Sequence, residues 1–243
     1  MKAYMGCDIG LKRAENQDAV TTETLGDGVL AIVCDGMGGM QNGSAASRIA
    51  IETAKDSFLR EYRPGMEPAE ICAILRNCAA AANHEVYQAA VHGEVPSRMG
   101  STLVGVFARD DAACIVNVGD SRAYLIEAEG DARQLTTDHT VVQLLYEQGV
   151  IRAEERATHA RRNELMRAIG VSSRVLADTQ IILPAKTDRI LLCSDGLYGM
   201  VDDRELAELV RGTSPAELPE KAIAAANENG GRDNISLVLL VRE

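Results

Sequence analysis

The 243-residue chain lacks any apolar run long enough to cross a bilayer. Its longest, such as Ile235 to Val241 and Thr102 to Ala108, fall far short of the roughly 20 residues required, so no membrane partner is expected. The opening MKAYMGCDIG has one lysine but no apolar stretch followed by a small-residue cleavage site, which argues against secretion and for a cytoplasmic location. Paired cysteine spacing is missing as well. Six cysteines (Cys7, Cys34, Cys72, Cys78, Cys114 and Cys193) form no CxxC or zinc-like pattern, and four lie in apolar runs where cysteine acts as a small hydrophobe; reduced thiols are expected. None of the four histidines belongs to an HxxxH or HExxH pattern, so His84, His92 and His159 read as surface or satisfied polar residues. Positive charge is in deficit, 25 basic against 36 acidic residues, and the net charge of −11 argues against nucleic acid as the main partner. Low-complexity tracts and repeats are absent and the six prolines are scattered, so nothing marks a linker. One domain over 1–243, and a monomer, are expected.

What is present is a globular composition, 46% hydrophobic and 25% charged. Apolar runs rich in Val, Ile and Leu at 28–34, 101–108, 113–119, 122–127, 175–183, 189–193 and 235–242, each bounded by Gly, Asp or Asn, predict strands. The close succession of 101–108, 113–119 and 122–127 predicts an antiparallel meander. Ile71, Ile74, Leu75, Cys78, Ala82 and Val86 recur at three- and four-residue steps, predicting a helix over 69–92, and Ser44 to Tyr62 behaves similarly. Ser214-Pro215-Ala216-Glu217 combines an N-cap serine, a first-turn proline and a glutamate three residues on, predicting a helix to about Ala226. Antiparallel strands with pairs of helices between them give an α+β layered class.

Four aspartates occupy strand ends. VLAIVCDG carries Asp35, CIVNVGD ends in Asp120, ILLCSDG carries Asp195, and the last strand starts just after Asp233. In an antiparallel sheet the start of one strand lies beside the end of its neighbour, so these carboxylates can converge on one edge. Carboxylates within about 4–6 Å raise one another's pKa and cannot all stay ionised without a cation. Oxygen-only donors suit Mg²⁺ or Mn²⁺ rather than zinc. A single Asp-Gly is ordinary turn chemistry, but two of them, at Asp35-Gly36 and Asp195-Gly196, each close a buried run, where glycine lets the backbone approach a ligand.

Arg13-Ala14-Glu15-Asn16-Gln17-Asp18, VCDGMGG at 33–39, Gly100-Ser101-Thr102, VGDSR at 118–122, CSDGL at 193–197 and GRDNIS at 231–236 occur in that order over nearly the whole chain. This set resembles the PPM family, the metal-dependent type 2C serine/threonine protein phosphatases, with the spacing of small bacterial members. The resemblance implies a four-layer α-β-β-α sandwich with two central antiparallel sheets and a binuclear Mg²⁺/Mn²⁺ centre at one edge. It implies that Asp35 bridges two ions, that the Gly36 carbonyl binds the first, and that Asp195 and Asp233 bind the second. Asp120, with Asp195, matches a third and weaker site. Asp18 matches an acid acting through water, and Arg13 the guanidinium that receives the substrate phosphate, a role that a planar bidentate donor fills better than lysine. Asn234 and Ser194 read as supports of the ligands. Met37 stands where many eukaryotic relatives carry a histidine general acid, so leaving-group protonation must come from metal-bound water or another residue. The segment at about 140–170 resembles a flap, in which Arg161-Arg162 either steers a phosphopeptide or forms a solvated basic helix face.

The chemistry so implied is hydrolysis of phosphoserine and phosphothreonine in proteins by a metal-bridging hydroxide, opposing a cognate kinase. Cys34 and Cys193 precede metal-binding aspartates and should be buried with raised thiol pKa, unlike a thiolate nucleophile. A nucleotide-binding oxidoreductase would need glycine where Gln41 stands, and Asp35 would repel a pyrophosphate. The other alternative is a catalytically weak phosphoprotein-binding module of the same fold.

Overall fold

The computed structural model describes residues 1–38, 42–92 and 99–242; Gly39 of the VCDGMGG run and Gln41 lie outside them. Strands β1 (Lys2–Asp8), β2 (Asp18–Leu25) and β3 (Gly28–Gly38) lead into helices α1 (Asn42–Glu61) and α2 (Pro68–His92). Next come β4 (Met99–Ser101), β5 (Leu103–Ala108), β6 (Ala113–Val118), β7 (Arg122–Ile126) and β8 (Arg133–Gln134). The chain continues through α3 (Val141–Glu147), a 3-10 turn (Ala153–Thr158), β9 (Asp178–Ile182), β10 (Arg189–Cys193), α4 (Asp195–Tyr198), α5 (Asp203–Gly212), α6 (Leu218–Glu228) and β11 (Ile235–Val241). Among the described residues no helix is long and apolar enough to cross a membrane.

Two antiparallel sheets result, ordered β1-β11-β10-β7-β8 and β2-β3-β5-β6-β9, with β4 added to β3. The central strands β3, β5, β6, β7, β10 and β11 read as continuous apolar runs because both their faces are buried. In β3, Leu30, Ile32 and Cys34 face a core shared with α1 and α2, while Val29, Ala31 and Val33 face the other sheet. In β11, Leu237, Leu239 and Val241 pack with α4, α5 and α6, while Val238 and Leu240 enter the layer between the sheets. Three apolar layers therefore separate four structural ones, the α-β-β-α sandwich. The expected α2 stripe of Ile71, Ile74, Leu75, Cys78, Ala82 and Val86 is wholly buried.

Three expectations are corrected. The meander breaks after β6: β5 pairs with β6, but β7 joins β10 and β8 in the opposite sheet. The crossing is made at Gly119-Asp120-Ser121, where Gly119 has φ +106, a conformation that strains any residue with a Cβ. The last helix starts at Leu218, because the Ser214 hydroxyl bonds the Glu217 carboxylate at 2.9 Å and residues 215–217 form a separate turn. β3 runs on to Gly38, so Asp35 lies inside a strand, at the point where its partner changes from β5 to β4.

Candidate metal centre

β2 and β3 place Asp18 directly opposite Asp35. Thr102 holds the Asp35 backbone on the other side. The Asp35 N–H donates to Thr102 Oγ1 at 2.8 Å, and Asp35 O accepts from Thr102 N–H at 2.8 Å and from Ser101 Oγ at 3.1 Å. In the second sheet, antiparallel pairing of β10 and β11 sets the end of one beside the start of the other. Ser194 and Ser236 close that junction through Ser194 N–H to Ser236 O and Ser236 N–H to Ser194 Oγ, both 3.0 Å. The same Ser194 hydroxyl donates to Asp18 Oδ2 at 2.7 Å and so ties the two sheets together at the carboxylates.

Asn234 fixes the loop that carries Arg13. Its Oδ1 accepts from Gln17 N–H at 2.9 Å, and its Nδ2 donates to Ile9 O at 2.9 Å and Glu15 O at 3.0 Å. Arg13 arrives on a carboxylate: Nη2 donates to Asp233 Oδ2 at 2.6 Å in a pair that stays half open to solvent. The glycines do something other than open space for a ligand. A Cβ at Gly36 would stand 2.1 Å from Gly43 O and 2.5 Å from Gln17 O, and one at Gly196 would stand 1.9 Å from Asn234 O. Both Asp-Gly pairs are therefore required by neighbouring backbone.

Four of the aspartates, Asp18, Asp35, Asp120 and Asp195, are raised by burial and by neighbouring carboxylates. Asp35 is raised well above the ordinary carboxylate range, by burial first and then by Asp18, Asp195, Asp120 and Asp233. Burial, reinforced by neighbouring aspartates, pushes Asp18 up to about 7, Asp120 to about 8 and Asp195 to about 6. Two buried carboxylate oxygens, Asp18 Oδ1 and Asp195 Oδ1, have no hydrogen-bond partner. Among the described residues no three His, Cys, Asp or Glu side chains are arranged as a metal-holding group. Arg13 takes one Asp233 oxygen, Ser194 takes one of Asp18, and a hydrogen bond with Asp35 offsets part of the rise at Asp195. Unspent buried oxygens within a mutually repelling, all-oxygen donor set fit a hard divalent cation.

A cleft of about 440 Å³ opens beside this edge, lined by Asp120, Asp195 and Asp233 together with Arg156, Arg162 and Arg232. The HARRN segment that supplies Arg162 is a turn, so the basic helix face does not exist. Its two arginines diverge: Arg161 pairs with Glu164 at 2.6 and 2.7 Å, whereas Arg162 lines the cleft. Cys34 and Cys193 are fully buried, and burial raises both thiols, Cys193 to about 12. Met37 is half-buried next to Gly36.

Sequence reasoning assigned no role to several residues that build the site. The Thr102 and Ser121 hydroxyls share a 2.7 Å bond that joins the Asp35 strand to the Asp120 turn. His139 is buried and accepts the Gly119 N–H on Nδ1 at 3.1 Å, which leaves Nε2–H to donate to Asp178 Oδ2 at 3.0 Å. Thr102 belonged to the Gly100-Ser101-Thr102 run and Ser121 to VGDSR, so the motifs flagged the positions without the chemistry.

A family profile described as Protein phosphatase 2C matches residues 12–228. Serine/threonine phosphatase stp of Listeria monocytogenes is 37% identical over 247 residues, spanning 100% of this chain and 96% of that protein. PstP of Mycobacterium tuberculosis is 36% identical over 236 residues, which cover 96% of this chain and 43% of that longer protein. Among solved structures, Stp1 from Staphylococcus aureus superposes with a TM-score of 0.93 at 31% identity, covering 100% of this chain and 95% of that one. The PstP catalytic domain in complex with 2 manganese ions gives 0.81 at 32% identity, covering 98% and 96%. A profile match over most of the length, near-complete relatives and a shared sandwich agree with the carboxylate edge: the chain belongs to the protein phosphatase 2C family, the metal-dependent serine/threonine protein phosphatases.

Proposed function

We propose that Asp35, the Gly36 carbonyl, Asp195 and Asp233 hold two Mn²⁺ or Mg²⁺ ions, and that Asp120 with Asp195 holds a third, weaker one. Bound cations of this kind lower the pKa of water and neutralise charge on a phosphoryl group. The observation that carries the reading is the convergence of mutually raised aspartates with two buried oxygens left without partners.

The chain's own groups supply the rest. Asp233 engages one Arg13 nitrogen in the structure, and a guanidinium has five N–H donors, so Arg13 can turn its remaining fork to a substrate phosphate. Asp18, held by Ser194, contributes its free Oδ1 to ordering solvent beside the ions. Arg156, Arg162 and Arg232 add positive charge to the lining of the cleft, which suits the approach of a phosphorylated protein segment to an otherwise acidic surface. Residues 140–170 act as a flap over that cleft, and the physiological role is to oppose a protein kinase in the cytoplasm as a monomer. The binding-module alternative has no observation in its favour.

The test is hydrolysis of p-nitrophenyl phosphate and of a phosphothreonine peptide with added Mn²⁺ or Mg²⁺. Activity should vanish on chelation and in Asp35→Asn. Full turnover in excess EDTA, or in that variant, would sink the assignment.

A further inference from the structure

Arg122 closes the VGDSR run but has no part in the assignments above. Its guanidinium lies over the Tyr198 ring, 3.7 Å from the centroid. Nε and Nη2 donate to the two Asp138 oxygens at 2.9 and 2.7 Å, and Nη1 donates to Tyr124 OH at 2.8 Å. Gln134 Nε2 donates to the same Asp138 at 2.8 Å, so the acceptor is itself fixed. The stacked ring reaches further. Tyr198 OH donates to the Asp120 carbonyl at 3.0 Å, and Tyr198 ends the short α4 that Asp195 begins.

One planar cation thus presses on a ring that joins the element carrying Asp195 to the turn carrying Asp120. We propose that Arg122 is a positioning residue that fixes the Asp120 and Asp195 carboxylates relative to each other, and so sets the outer cation site. The inference rests on the assignment of that site to Asp120 and Asp195. Arginine is required because the contact is stacked and bidentate at once; a lysine ammonium is a point charge that can do neither. The turn has other supports in the Thr102–Ser121 bond and the Gly119 N–H to His139 bond. Removing Arg122 should therefore tilt the pair without unfolding the sheet.

The experiment compares Arg122→Met, Arg122→Lys and Tyr198→Phe with Asp120→Asn and with Arg133→Met, a control at an exposed arginine on β8. Amide resonances are recorded in chelator, and Mn²⁺ isotherms without it. Arg122→Met should move the amides of both Gly119–Ser121 and Asp195–Tyr198, and Arg133→Met neither. The weakest Mn²⁺ step should loosen about 10–100-fold, as expected for loss of a group that orients ligands, and Arg122→Lys should not restore it. Amides of either segment staying in place, or Arg122→Lys binding Mn²⁺ like the parent while only melting lower, would overturn the proposal. If Asp120→Asn leaves the isotherm unchanged, the outer-site assignment is what fails; the metal-free amides then decide Arg122, movement of both segments upholding its positioning role and stillness overturning it.

Discussion

Chelation should convert this protein into one that loses stability as the pH rises from about 4 to about 8. The sign follows from the folded state holding protons on Asp18, Asp120 and Asp195 more tightly than the unfolded chain does. Between the ordinary 3.8 and the folded values of about 6 to about 8, the native state binds more protons, so its stability falls with pH. Asp195 alone, at about 6 against 3.8, spans roughly two pH decades, or ~3 kcal/mol at ~1.4 kcal/mol per decade. The three rises are not summed, because each contains the repulsion of the others. A loss of ~3–6 kcal/mol is expected, which in a domain of this size lowers the melting temperature by roughly 10 °C or more. Mn²⁺ at about a hundred times its Kd should return ~2.7 kcal/mol and flatten the slope. The assay is a series of thermal melts across pH in EDTA and in MnCl₂, with Asp120→Asn in parallel. That variant removes one repelling charge and should melt higher than the parent in EDTA near pH 8. A metal-free melting temperature that stays level or climbs between pH 5 and 8 would refute the reasoning, as would an Asp120→Asn protein that melts lower there.

Gly196→Ala should cost ~1–3 kcal/mol or more by overpacking, since its Cβ has nowhere to go but into Asn234 O at 1.9 Å; a denaturant midpoint equal to the parent's would contradict the close approach. Arg13→Ala should raise KM for p-nitrophenyl phosphate while largely preserving kcat, and an unchanged KM would remove Arg13 from the phosphate contact. His139 is held below its ordinary 6.5, chiefly by burial, and its Nδ1 accepts the Gly119 N–H. Its contribution to stability should be complete above about pH 6.5 and fall away as the pH drops through the folded value, and an NMR titration of the imidazole with a midpoint above 6.5 would refute it.

The sandwich was largely legible because most of its strands are buried on both faces and so appear as unbroken apolar runs. β1 and β2 were not. Their residues are half-buried or exposed, and DAVTTETL carries no apolar run to detect. The switch of β7 to the other sheet was hidden for a different reason: spacing shows that a strand follows a turn, but not which sheet receives it. The aspartates were legible as carboxylates bounding apolar runs, although Asp35 proved to lie inside β3, and Arg13 was legible only through its motif. Ser194 and Asn234 were read as supports only through the resemblance and Thr102 and Ser121 were given no role, because spacing does not show the partners of such hydroxyls and amides, which lie as far away as the 225 positions between Asn234 and Ile9.

Those long separations explain how a repelling cluster persists in a folded chain. The Arg13–Asp233 contact spans 220 positions between the loop after β1 and the start of β11, and the Ser194–Asp18 contact spans 176 and crosses from one sheet to the other, so the latter exists only once the sheets are stacked. The layer between the sheets holds an apolar cluster, with Val106, Ile115, Leu192 and Leu240 among its buried members. Burial of each such side chain contributes about 1.5–3 kcal/mol, so a few of them offset the several kcal/mol that the ionised carboxylates cost. Because the carboxylates sit at the rim of that layer, packing holds them together against their charge, and on the proposed assignment a bound cation would relieve a repulsion that the fold has already imposed. Affinity for metal and stability of the sandwich are thus linked: a substitution that loosens the inter-sheet layer, far from any ligand, should weaken cation binding by letting the aspartates separate.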